Sequence, residues 1–149
     1  MSIDPDALLN QAHEDANSTR LIPFPEGEFQ AVIQSVEAVT FTFKKGERAG
    51  QEGVRLVVEW EATDESVREI MKRDPKIRQN IFLDLDGGNL DMSEGRNITL
   101  GRLREAVGMN QEGQAFAMSS LEGQTAIIRV SHRMDEENIR ADVTGTTAI

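Results

Sequence analysis

The sequence predicts a mainly β protein, one five-stranded domain over residues 23–149 behind an acidic arm at residues 1–22. Two patterns carry the prediction. Five segments alternate apolar and polar residues with the period of two that half-buried strands need, and two of the connections show helical spacing instead. The size agrees: 149 residues, 38% hydrophobic and 28% charged, suit one globular domain with a real core.

The arm holds one candidate helix, where Asp4-Pro5 precedes Ala7, Leu8 and Leu9 and proline is tolerated at a first helical position. Pro23-Phe24-Pro25-Glu26-Gly27 is a turn-rich entry to the folded part. A first strand runs from Glu28 to about Thr40, with Phe29, Ala31 and Ile33 on one side. Phe41 to Gly50 is expected to form the hairpin loop. The second strand puts Val54, Leu56, Val58 and Trp60 on one face and Arg55, Val57, Glu59 and Glu61 on the other.

Asp64-Glu65-Ser66 opens a short helix whose apolar stripe is Val67, Ile70 and Met71, and Asp74-Pro75 stops it. The third strand sets Ile77, Gln79, Ile81, Leu83 and Leu85 against Arg78, Asn80, Phe82 and Asp84. After a turn at Asp86-Gly87-Gly88-Asn89, Asn97 is placed to cap a helix that buries Leu100, Leu103, Ala106 and Val107 and ends at Gly108. The fourth strand, about Gln124 to Arg133, and the fifth, carrying Ile139, Ala141 and Val143, close the series. This succession is that of a five-stranded OB-fold barrel with a helix between strands 3 and 4 and a short helical insert between strands 2 and 3.

Several function classes find no support. There is no cysteine, which removes disulfides, cysteine zinc sites and thiol catalysis. No phosphate-binding glycine loop and no HExxH or GxSxG motif occurs. His132 shares the parity of Ala126, Ile128 and Val130, which suits a satisfied, partly buried histidine better than a catalytic base. Asp84 to Asp91 resembles a calcium loop, but its fifth and twelfth positions are Gly88 and Gly95, so a solvated turn is expected and no metal or cofactor. A non-enzymatic protein follows. The N-terminus has no secretion signal and no apolar run reaches the ~20 residues of a membrane span, so a cytoplasmic protein without membrane partners is expected.

The net charge of −10 opposes nucleic-acid binding, since phosphates are held by Lys and Arg. Half of that excess lies in residues 1–28, where six carboxylates stand against Arg20 alone. Within the domain, Phe41-Thr42-Phe43-Lys44-Lys45 places two rings at alternate positions beside two ammonium groups, with Arg48 following. Single strands are held by that pairing of stacking faces and cations. Phe82 falls among the polar residues of the third strand, beside Arg78, and Arg55, Arg129, Arg133 and Arg140 occupy the polar faces of the other strands. OB barrels bind nucleic acid across strands 2 and 3 and their flanking loops, so Phe41, Phe43, Lys44, Lys45, Arg48, Arg55, Arg78, Phe82, Arg129, Arg133 and Arg140 form the candidate site.

Over about residues 23–146 the chain resembles the small OB-fold single-stranded DNA-binding proteins of phages and prophages. The marks are Pro25-Glu26-Gly27-Glu28-Phe29, the hairpin tip Lys44-Lys45-Gly46, the strand Leu56 to Trp60, the helix end Leu103 to Gly108, the turn Leu121-Glu122-Gly123-Gln124 and the closing segment Asn138 to Val143. The resemblance implies single-stranded DNA binding without sequence preference, in replication or recombination, with proteins of those processes as partners. A homo-oligomer is compatible with it. The chain departs from the pattern in its insert at 64–74, its lack of tyrosine and its non-acidic end, Thr144 to Ile149. The competing expectation is a structural or interaction module, such as a virion or assembly component, which needs no basic face.

Overall fold

The computed structural model describes residues 2–149. One antiparallel sheet of five strands dominates it: β1 (Gly27–Thr42), β2 (Glu52–Ala62), β3 (Lys76–Phe82), β6 (Thr125–Asp135) and β7 (Asn138–Thr147), in the order β3-β2-β1-β6-β7. Two two-residue strands, β4 (Leu85–Asp86) and β5 (Asn89–Leu90), make a separate small hairpin. Its turn residues Gly87 and Gly88 have φ of 59° and 85°, the left-handed pair that a two-residue hairpin needs. The helices are α1 (Pro5–Leu9), α2 (Glu65–Met71) and α3 (Ile98–Ala106), with a 3-10 turn at Met118–Leu121. The helix between the third and fourth long strands and the insert between the second and third are therefore where the alternation places them.

The core forms where the alternation predicts. Ala31, Ile33, Leu56, Val58, Trp60, Ile77, Ile81, Ala126, Ile128 and Val130 are buried on one face of the sheet, with Val67 and Met71 of α2 and Leu100, Leu103 and Ala106 of α3. Removing each large side chain from water contributes roughly 1.5–3 kcal/mol. The one buried polar side chain among the described residues, Gln79, accepts the Trp60 indole N–H at 3.0 Å, so neither polar group is orphaned.

The expected barrel is not closed by hydrogen bonds. β3 pairs only with β2 and β7 only with β6, although the two outer strands approach within 8 Å between Cα atoms. β1 joins the two halves of the sheet. Its residues 27–32 pair with β6 and its residues 31–42 with β2. Between Ile33 and Ser35 the register slips by one residue, a bulge at Gln34 that inverts which side chains face the core. Before it Ala31 and Ile33 point inward; after it Val36 pairs with core Val58, and Val39 and Phe41 share the outer face with Arg55 and Gly53.

Several boundaries differ from the expectation. β1 continues through Phe41 and Thr42, and the pairing extends to Phe43, whose N–H donates to Gln51 O at 2.9 Å. β3 ends at Phe82; Leu83, just beyond it, still packs partly buried against the core, whereas Leu85 is exposed in the small hairpin. On α2, Asp64 caps as expected, accepting from Ser66 N–H at 2.9 Å, but Ile70 is exposed because two turns bury only the Val67–Met71 pair. Asn97 stands at the N-cap of α3 but does not cap it: its side chain turns away to Asp84, exchanging bonds of 2.8 and 2.9 Å with that residue's backbone. Val107 lies just beyond α3 and is half-buried. His132 is partly buried, with Nε2 2.6 Å from Phe24 O, and its backbone N–H donates to Glu26, which fixes the entry segment on β6.

Residues 2–22 of the arm are exposed, and α1 buries nothing. The arm meets the domain through Arg20, which pairs with Glu137 at 3.2 Å, and through the Ile22 carbonyl, which accepts from Arg73. Among the described residues no helix is long and apolar enough to cross a membrane.

Candidate nucleic-acid interface

The bulge at Gln34 decides the geometry of the site. Counted from Phe29, Ala31 and Ile33 without interruption, Phe41 and Phe43 would fall on the core face; the inserted residue sends them to the outer one. There the Phe41 ring lies 4.8 Å from Phe43 and 5.3 Å from Phe82, both edge to face. Phe82 reaches the cluster because Arg55 of β2 pairs with Phe82 on one side and Val39 on the other, setting the ends of all three strands in register. Phe82 is 62% exposed, while Phe41 and Phe43 are half-buried.

Gly53 makes the cluster possible. It stands opposite Phe41, and a Cβ there would come within 2.7 Å of the Phe41 ring and 2.9 Å of the Phe43 ring. Sequence reasoning missed this residue, although a glycine inside a strand is the usual signal of close approach.

Cations surround the rings. The Arg48 guanidinium lies 5.5 Å from the Phe43 centroid, Lys44 and Lys45 are exposed at the adjoining turn, and Arg55 is half-buried beside Phe82 with its Nε lacking a hydrogen-bond partner. Among the described residues none of these four has a carboxylate within the 4.0 Å of an ion pair, whereas half of the chain's sixteen Lys and Arg do.

The remaining candidates divide. Arg78 is tied to Glu59 at 3.5 Å, but with Phe82 it lines a groove of about 550 Å³ between β3 and β7 that also receives Arg133. Arg133 is held by Asp142 at 2.6 Å. Arg129 pairs with Glu28 at 2.9 Å and Arg140 with Asp135 at 3.3 Å, and neither lines that groove. The sequence-predicted site thus comes together as Phe41, Phe43, Phe82, Arg48 and Arg55 with the Lys44-Lys45 turn. Arg78 and Arg133 stand next to it, and Arg129 and Arg140 belong to a separate ion-paired face.

On the other side of Phe43 a groove of about 300 Å³ is lined by Arg48 and Arg96 but also by Glu52, Asp84 and Asp91. Hydrogen bonds from the Ser93 side chain and backbone hold Asp91 below the usual carboxylate range, with Arg96 adding to the effect. With three carboxylates against two arginines, that groove has a formal excess of one negative charge.

The sequence matches no protein-family model and no curated protein at a significant level.

Proposed function

We propose that the chain is a non-enzymatic, OB-type single-stranded DNA-binding protein that takes its ligand on the outer face of β1–β3 without sequence preference. The observation that carries this reading is the coincidence of three clustered phenylalanines with Lys44, Lys45, Arg48 and Arg55, cations with no carboxylate within ion-pair distance among the described residues. Bases stack on rings whatever their identity, and the cations follow the phosphates. A protein of net charge −10 gains little from general attraction to DNA, so uncommitted cations gathered in one place matter more than their total.

The strand order supports the finer fold. A long first strand shared between the second and fourth strands, with the third and fifth brought near one another, is the arrangement of an OB barrel left open at one seam. Action in phage-type replication or recombination, in the cytoplasm, follows from the resemblance. The test is anisotropy of labelled oligo-dT and of a duplex of equal length, each at low and moderate salt. Tighter single-strand binding that weakens with salt is expected. Equal affinity for duplex, or no binding at low salt, rejects the reading and leaves the structural or assembly module. Trp60 is fully buried, so its fluorescence reports folding and serves as the control.

A further inference from the structure

We infer that a nucleic-acid strand leaving the phenylalanine face continues along the seam between β3 and β7, where Arg102 of α3 meets its phosphates. The inference rests on the reading above and gives the bound strand its direction. Phe82 belongs both to the ring cluster and to the seam groove, so the two surfaces are continuous. The groove on the opposite side of the cluster carries three carboxylates, Glu52, Asp84 and Asp91, against two arginines, Arg48 and Arg96. The seam has one, Asp142, against Arg78, Arg102 and Arg133. A polyanion therefore meets less repulsion on the Phe82 side.

The three arginines are not equivalent. Glu59 holds Arg78, and Asp142 holds Arg133 at 2.6 Å. Arg102 is exposed and has no carboxylate within ion-pair distance among the described residues, so its charge is uncommitted. The strand edges add donors. Leu83 N–H donates to Val54 and Ala62 N–H to Pro75 across the β2–β3 pair. Antiparallel alternation then turns the N–H groups of Arg78, Asn80 and Phe82 away from β2, toward the seam, where no β7 residue pairs with them. Backbone N–H groups and hydroxyls such as that of Thr146 are ordinary phosphate donors. A peptide strand does not fit the gap as it stands: an inserted strand needs neighbours about 9.5 Å apart, twice the usual spacing, and β3 and β7 come within 8 Å.

The experiment measures binding of a labelled oligo-dT of about sixteen nucleotides, long enough to run past the rings, to the full chain and to Arg102→Ala, Arg102→Glu and Arg102→Lys. One lost phosphate contact should weaken Arg102→Ala about five- to tenfold at ~50 mM salt and reduce the log–log salt slope by about 0.7. Arg102→Glu should be weaker still, and Arg102→Lys close to the unsubstituted chain. Because Arg102 is exposed, thermal unfolding should be unchanged in all three. If the full chain binds and both Ala and Glu variants match it, the seam is not the path and the phenylalanine face stands alone. If the full chain fails to bind at low salt, the function itself is wrong and this inference falls with it.

Discussion

The outer face of β1–β3 and the outer face of β6–β7 belong to one sheet and are both rich in basic residues, yet they differ in what those residues are doing. On β6–β7 every arginine has a carboxylate: Glu28 for Arg129, Asp142 and Asp135 for Arg133, Asp135 for Arg140. Arg133 and Arg140 stand directly opposite each other across the two strands, a repulsive pairing that Asp135 relieves by touching both. On β1–β3 the hairpin cations have no such partners among the described residues, and Arg48 instead borders the Phe43 ring. A count of arginines along the chain treats the two faces as equal. Their partners separate the ion-paired arginines of β6–β7, and Arg78 and Lys76 held by Glu59 on β3, from the unpaired cations at the hairpin end of β1–β2.

The largest effect should come from the rings. Phe43→Ala combined with Phe82→Ala removes two stacking positions worth roughly 1–3 kcal/mol each, so single-strand affinity should fall at least about thirtyfold at any salt. The melting temperature should fall far less than for core phenylalanines, whose loss costs ~3–5 kcal/mol, because Phe82 is mostly exposed. A collapse in stability would show that the cluster is a satellite core and remove the contrast between the faces. Gly53→Val is the next test. The added side chain would occupy the space of the Phe41 and Phe43 ring edges, so binding should weaken about tenfold, through ring displacement, with every ring still present. Unchanged affinity would mean that ring geometry is immaterial.

How much of this was legible follows from the same residues. Strict alternation located the buried rows of β2, β3 and β6, since a period of two is a local property. The outward turn of Phe41 and Phe43 was not local. It depends on one extra residue at Gln34, and nothing in Ile33-Gln34-Ser35 distinguishes a bulged residue from an ordinary strand position. The company of lysines singles out both rings, but alternation from Phe29 does not show that Phe41 still belongs to β1 rather than to the loop. Arg129 and Arg140 were chosen by face alone, and their neutralising carboxylates lie across strands or turns, where spacing along the chain does not show them. Arg102 lies on the polar side of α3, and its proximity to β3 and β7 arises from tertiary packing that spacing along the chain does not encode.

Charge removal should give a smaller effect and divide the faces cleanly. Lys44→Ala, Lys45→Ala and Arg48→Ala should each weaken binding several-fold near 50 mM salt and converge on the unsubstituted chain as salt rises, because counterion release is the term they lose. Arg129→Ala and Arg140→Ala should change affinity by less than about twofold, since their charges are already spent on Glu28 and Asp135. Titrations of all five variants at two salt concentrations decide this. A strong loss from Arg129→Ala or Arg140→Ala would place the ligand on β6–β7 instead.

The smallest expected effect comes from unlocking an arginine rather than removing one. Glu28→Gln keeps the side chain's shape and one hydrogen-bond acceptor but takes the negative charge from Arg129, which now holds it at 2.9 Å across the β1–β6 pair. Exposed ion pairs contribute ~0–1 kcal/mol, so the melting temperature should shift by only a few degrees. The freed guanidinium belongs to neither the ring cluster nor the lining of the seam groove, so a strand bound there would feel it only through solvent, where salt screens it. Affinity for single strands should therefore rise by less than about threefold near 50 mM salt, and the gain should vanish at higher salt. Part of any gain reflects the chain's lower net negative charge. Glu112→Gln, an exposed carboxylate outside every ion pair among the described residues, measures that part. A gain for Glu28→Gln well beyond Glu112→Gln, on the order of tenfold, would mean that bound DNA already passes over β6. The two faces would then form one continuous surface, held half-closed by its own carboxylates.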